Sequence, residues 1–258
     1  MSNNEYEQNL FWSSKPGTNL AEQHLRILHI SDTHGFHHTF PVERFENIDV
    51  VVHSGDCSNY RDPARNESEV LHFLDWYADV PVKHKIYVAG NHDTSIEKGL
   101  ITPSYFESRG IVYLQDSDVR IEGVKFYGSP WTPEFGQWSF MKRRDRISLI
   151  WDNIPSDTDV LITHGPPKGY RDLSFDRDDN LEMCGCSALA KKCDQLKNTL
   201  QLVCYGHIHN MSGIKNQGVS SYSHTCTVFS NAACVTDRKF EGGLSSTGNV
   251  LLVKKTKT

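Results

Sequence analysis

The sequence predicts an α/β protein, two packed β-sheets flanked by helices, and three observations carry that expectation. Short Val- and Ile-rich runs recur along the chain. Apolar residues fall on one helical face between two of those runs. Two later stretches alternate apolar and polar residues as strands do. With 258 residues and no compositional break, the chain reads as one large domain.

Residues 1–24 show no periodicity and are read as an N-terminal extension whose Phe11 and Trp12 can pack on the body; the domain then takes 25–258. The runs Leu25–Ile30, Ile48–Val52, Lys85–Ala89, Val160–Thr163 and Leu202–Tyr205 read as buried strands, most of them stopped by Gly, Asp or Asn. Between the second and third, Pro63 suits a first helical turn, and Val70, Phe73, Leu74 and Tyr77 share a face. Further helices are expected over Met141–Trp151 and Ser187–Leu196, and β alternation over Ile111–Gly128 and Gly218–Val253. Two stretches resist this pattern. Trp131–Phe140 concentrates aromatic residues among Gly and Pro, and Pro166–Gly185 is a long, charged loop. A loop of that length starting directly after His164 is expected to form a wall facing substrate.

A formal net charge of −5 gives no reason to expect a nucleic-acid backbone as a major partner. The seven cysteines lack CxxC spacing and read as reduced thiols rather than a metal knot of Cys184, Cys186, Cys193 and Cys204. The start is polar, without a basic-then-apolar signal region, and no apolar stretch approaches 18 residues. A cytoplasmic setting and no membrane partner are therefore expected. The oligomeric state is left open.

Function is carried by short polar segments placed just after the predicted strands, where open α/β sheets put their ligand sites. They are Asp32-Thr33-His34, Gly55-Asp56, Gly90-Asn91-His92-Asp93, Thr163-His164-Gly165 and Gly206-His207-Ile208-His209, with Asn231-Ala232-Ala233 as a softer sixth. A lone His or Asp after a strand is more often a cap than a ligand, and His24, His29, His37, His38, His53, His72, His84 and His224 are read that way. His53 alone among them sits close enough to Asp56 to brace a ligand. Several such spacings in one order are a different matter. Two divalent ions about 3.5–4 Å apart acidify a bridging water and clamp phosphoryl oxygens, which is what phosphoester hydrolysis needs at neutral pH. Asp56 is the natural bridging carboxylate. Asp32 and His34 reach one ion; Asn91, His164 and His207 offer oxygen and nitrogen to the second; His207 and His209 can serve different ions. This mixed donor set suits Mn²⁺, Fe or Zn²⁺. His92, held near the phosphate by its neighbour, is placed to protonate the leaving alkoxide.

The order D-x-H, G-D, G-N-H-D, H-G, G-H-x-H resembles the calcineurin-like metallophosphoesterase superfamily over nearly all of Arg26 to Asn231. The stretches Val112–Ser117, Tyr127–Pro133, Thr163–Pro167, Gly169–Asp172 and Asn231–Ala233 are similar to the metallophosphoesterase-domain-containing (MPPED) subfamily. The resemblance implies a four-layer α/β/β/α sandwich of two mixed sheets. It implies a first metal on Asp32, His34, Asp56 and His209 and a second on Asp56, Asn91, His164 and His207. It further implies Mn²⁺-dependent hydrolysis of phosphodiesters, including cyclic nucleotides, by a metal-bridging hydroxide. Some animal members carry glycine at the His207 position and are weak enzymes; this chain keeps the histidine. It departs from many phosphatases of the superfamily at Asn59, where they place an acidic residue beside the catalytic histidine. An amide cannot raise the basicity of His92 as a carboxylate would.

The expectation is a dimetal phosphodiesterase acting on a small nucleotide, with Trp138 stacking on a base and Arg171 and Asn231 near the substrate. A phosphomonoesterase or nuclease with the same site is the alternative within enzymes. A nucleotide-binding or scaffold protein with vestigial activity is the alternative outside them, and the intact ligand set argues against it.

Overall fold

The computed structural model describes residues 23–176, 178–236 and 242–255; Phe11 and Trp12 lie outside the described residues. The Val- and Ile-rich runs form strands because branched side chains pack well on a pleat that is buried on both faces. Three of them, β1 (His24–Ile30), β2 (Val50–His53) and β3 (His84–Tyr87), run parallel with β4 (Ile111–Tyr113), and the last strand β15 (Asn249–Lys254) pairs antiparallel with β1. β1 opens at His24, one residue inside the stretch read as an extension.

The chain reaches a second sheet through β5 (Ser117–Ile121) and β6 (Val124–Ser129). There β6, β9 (Val160–Thr163), β12 (Leu202–Tyr205) and β14 (Val228–Asn231) run parallel, with β5 and β13 (Gly218–Ser221) as antiparallel edges. The alternating stretch Ile111–Gly128 is thus split between sheets, β4 in the first and β5 and β6 in the second.

Three apolar clusters define four layers. Leu25, Ile27, Val52, Phe126, Ile162 and Cys204 fill the space between the sheets. On the outer face of the first sheet, Leu28, Ile30 and Val51 meet Val70, Phe73, Leu74 and Tyr77 of α1 (Pro63–Asp79). On the outer face of the second, Leu161 and Val203 meet Trp151 and Leu189, the latter on α2 (Ser187–Gln195). α1 starts where Asp62 accepts the amide of Arg65 (3.0 Å) with Pro63 in the first turn. In α2 the Cys186 thiol is the cap, which gives one of the unpaired cysteines a structural task.

The helix expected over Met141–Trp151 is not there. Met141–Lys142 form β8, paired with β7 (Thr132–Pro133), and only Ser148–Trp151 make a helical turn. Between them Arg143 through Arg146 are exposed, and buried Ile147 and Trp151 supply an i,i+4 apolar pair without a continuous helix. The long loop Pro166–Gly185 contains a hairpin of β10 (Leu173–Phe175) and β11 (Leu181–Met183).

Candidate dimetal active site

Every parallel strand that carries a ligand ends at the same edge of its sheet, and the two sheets bring those edges together. Asp32 and His34 follow β1, Asp56 follows β2, Asn91 and His92 follow β3, His164 follows β9, and His207 and His209 follow β12. The backbone turns sharply there. Asp32, His34, Asp56 and His207 adopt φ of 51°, 42°, 58° and 66°, a left-handed region costing a non-glycine residue about 1–3 kcal/mol. Interlaced loops hold it: Asp32 N donates to Gly55 O (2.9 Å), His34 N to Asp56 O (3.1 Å), and Gly206 N to His164 O (2.9 Å).

Two donor clusters result, Asp32 with His34 and His209, and Asp56 with His164 and His207. In the first, Asp32 Oδ1 lies 3.0 Å from His209 Nε2, and the Asp32 carboxylate also accepts the His207 amide (3.0 Å). His34 donates Nδ1–H to Ser58 O (3.1 Å), which turns Nε2 inward. That nitrogen stands 4.0 Å from both Asp32 Oδ1 and Asp56 Oδ2. Two donors sharing one ion at about 2 Å each stand at about this separation. In the second cluster His164 donates Nδ1–H to Ser54 O (2.9 Å), and its Nε2 lies 3.3 Å from Asp56 Oδ2, 2.9 Å from Asn91 Oδ1 and 3.2 Å from His207 Nδ1. Asp56 Oδ2 thus belongs to the second cluster and faces His34 of the first, while its Oδ1 accepts the His92 amide (2.7 Å). Carboxylate, imidazole and amide oxygen in this arrangement fit two divalent ions.

Electrostatics agree with that use. Burial opposes ionisation of Asp32, but the hydrogen bond and charge of His209 hold its carboxyl well below the usual range. Burial likewise opposes ionisation of Asp56, and His164 and His92 hold it low. Burial pushes His34 and His207 down to about 3, so both are neutral imidazoles with lone pairs to offer. His164 is the exception: burial pulls it down, but the Asp56 charge carries it up to about 9, so without metal it holds a proton that a bound ion would have to displace.

Sequence reading gave Asp93 no role. Buried among the ligand loops, it accepts from Gly90 N (2.7 Å), Asp56 N (3.0 Å), Tyr87 Oη (2.7 Å) and Ser58 Oγ (2.7 Å). Its place at the end of Gly90-Asn91-His92-Asp93 was the signal that could have found it. His53 braces the same loops, through Thr33 Oγ1 (3.1 Å) and the Gly55 amide (3.2 Å). His92 anchors Nδ1 on the backbone oxygen of Asn59 (3.4 Å), because the Asn59 amide group has turned to His34 O (2.7 Å).

The three residues expected at the substrate divide. Arg171 does not line the cavity; its guanidinium donates to the carbonyls of Asn216 (3.4 Å), Gln217 (3.2 Å) and Val219 (2.7 Å). Asn231 does not line it either, and instead supports the ligand loop by donating to Ile208 O (3.0 Å). Trp138 does line it, but Arg61 lies 3.5 Å over the ring and the His92 ring 4.3 Å away, which leaves little indole face for a base. The aromatic stretch is divided in the same way: Phe140 is buried, Trp131 binds Asp116 Oδ2 (2.8 Å), and Phe135 is 49% exposed with its ring 5.1 Å from His207. The cavity above the donors measures about 660 Å³. Phe135 and Arg144 stand in its lining, and the β10–β11 hairpin adds Phe175, Asp176 and Glu182, the wall expected of Pro166–Gly185.

The profile of the family described as calcineurin-like phosphoesterase matches residues 25–211. The chain belongs to this family. Among curated relatives of this calcineurin-like phosphoesterase, human metallophosphoesterase domain-containing protein 1 is 32% identical over 228 residues, covering 79% of this chain and 67% of the relative. UPF0046 protein C25E10.12 of Caenorhabditis elegans is 33% identical over 221 residues, covering 80% and 76%. A solved dimetal phosphatase from Danio rerio, 10% identical, covers 90% of this chain and 99% of its own at a TM-score of 0.52, a likeness of fold. The protein is thus a metal-dependent phosphoester hydrolase of two divalent ions. Among the described residues no helix is long and apolar enough to cross a membrane.

Proposed function

We propose that this calcineurin-like phosphoesterase hydrolyses phosphodiesters of small nucleotides, cyclic nucleotides foremost, with Mn²⁺ as its metal. The lining of the cavity carries the reading. It sets two carboxylates, Asp176 and Glu182, against Arg144, a balance that favours a monoanionic diester over a dianionic monoester. It also presents Phe135 and Phe175, 49% and 36% exposed, as surfaces for a base.

When bound, the two ions supply a hydroxide-like nucleophile and neutralise the phosphoryl oxygens. Asp32, His34 and His209 would hold one, and Asn91, His164 and His207 the other, with Asp56 between the two groups. The chain contributes the rest. Asp56 is fixed by the His92 amide, so it cannot swing away from either cluster. His92, with Nδ1 anchored on Asn59 O, is placed to give a proton to the departing oxygen.

The test is metal-stripped protein reloaded with Mn²⁺ and assayed on a diester reporter, a monoester reporter and a panel of cyclic nucleotides, beside Asp56→Asn. Metal-dependent diester turnover that Asp56→Asn abolishes supports the reading. Preference for the monoester replaces it with a phosphomonoesterase.

A further inference from the structure

We propose that Glu69, on α1, acts on His92 through a single peptide group and so replaces the carboxylate that Asn59 lacks. Glu69 Oε2 accepts the amides of Asn59 (2.8 Å) and Tyr60 (2.9 Å). The Tyr60 N–H belongs to the same peptide as the Asn59 carbonyl, and that carbonyl faces His92 Nδ1 at 3.4 Å. A carboxylate on the N–H end of a peptide polarises it and strengthens its oxygen as an acceptor. The path therefore runs Glu69 carboxylate, Tyr60 N–H, Asn59 C=O, His92 Nδ1–H. A carbonyl oxygen only accepts, so this contact keeps a proton on Nδ1 and fixes the orientation of the ring.

Helix α1 is built for the purpose. Asn66, one turn before Glu69 and on the same face, donates to Tyr60 O (2.8 Å) and His92 O (2.8 Å), locking the carbonyls on both sides of the contact. In the step served, the ester P–O bond breaks as the nucleophilic oxygen bonds phosphorus. His92 enters the step as the imidazolium, with one proton on Nδ1 against Asn59 O and one on Nε2. The departing oxygen takes the Nε2 proton and leaves as an alcohol; the ring is left in its neutral Nδ1–H form and recovers the Nε2 proton from water. Glu69 is a positioning residue: it touches neither substrate nor metal donor.

The inference rests on the phosphodiesterase reading for its assay, and one readout is independent of it. Glu69→Gln keeps an oxygen for both amides and removes the charge. On Mn²⁺-loaded protein, kcat should fall about 5- to 30-fold for a diester with an alkoxide leaving group and less than about twofold for a nitrophenyl diester, which needs no proton. In a His92→Asn background, Glu69→Gln should change neither rate further. Equal loss on both substrates, an added loss without His92, or no loss on either overturns the proposal. Independently of turnover, the ¹⁵N spectrum of the His92 ring in zinc-loaded protein, taken at alkaline pH where the ring is neutral, should show the Nδ1–H tautomer in the parent and a mixture in Glu69→Ala. An unchanged tautomer overturns the proposal, and diester inactivity of the parent with the tautomer shift present overturns only the diesterase reading.

Discussion

At the scale of single residues, the site depends on places where a side chain is missing as much as on those present. Gly206 precedes the His207–His209 pair, and a Cβ there would fall on Asp32 Oδ2 and Ser31 Oγ. Gly206→Ala must therefore displace the carboxylate that anchors the first donor cluster. Bound metal should fall from two ions per chain to about one, read by elemental analysis after dialysis, with kcat reduced by about 10² or more. Full metal content in that variant would show that Asp32 can move without loss. Phe135 makes the complementary case, because it is exposed and its ring lies tilted 5.1 Å from that of His207. Phe135→Ala should raise KM for a cyclic nucleotide about 5- to 30-fold, the worth of one stacked ring, and leave kcat nearly unchanged. An unchanged KM would remove Phe135 from substrate recognition.

At the scale of elements, α1 is a clamp as well as a cover. Buried Asn66 donates to Ser58 Oγ (3.0 Å), Tyr60 O and His92 O and accepts from Ser95 N (2.8 Å), tying the loops after β2 and β3 to the helix. Asn66→Ala leaves the buried Ser95 amide without its acceptor and removes the ties to Ser58, Tyr60 and His92, at about 2–4 kcal/mol. Calorimetry should show Tm lower by roughly 5–12 °C, and a shift under about 2 °C would contradict the clamp. This division also explains what the sequence made legible. The ligands could be read because each lies in a short segment directly after a buried strand, so local order carries the signal. The apolar face of α1 could be read from its 3.6-residue period. Glu69 and Asn66 could not, since polar residues on an otherwise ordinary helix look solvated until the fold places the loops against them. Arg171 misled for the converse reason: a cation beside the His164 loop suggests phosphate, and only the fold supplies the carbonyls that occupy it. The stretch Met141–Trp151 misled because Ile147 and Trp151 match helical spacing whether or not the residues before them join the helix.

At the scale of the molecule, the two sheets are joined by polar as well as apolar contact, and this bears on acid stability. His29 of β1 lies between the layers, 2.8 Å from Ser230 Oγ of β14 and 2.9 Å from Ser54 Oγ. Burial pushes His29 and the equally buried His53 down to about 3, so both stay neutral in the folded state at any ordinary pH. In the unfolded chain each titrates near its usual 6.5. The folded pKa is the depressed one, so the unfolded state binds more protons between about pH 6.5 and 3, and stability is full above that window and lost on descending through it. The slope is about 1.4 kcal/mol per pH unit for each histidine once the unfolded chain is fully protonated. Urea unfolding of metal-free protein from pH 7.5 to 4.5 should therefore show stability falling from about pH 6.5, above the carboxylate range. In His29→Gln, which keeps a polar side chain between Ser230 and Ser54, the slope should be shallower by about one proton. A parent whose stability holds level down to pH 5, or a His29→Gln slope equal to the parent's, would mean that the space between the sheets admits a protonated imidazole.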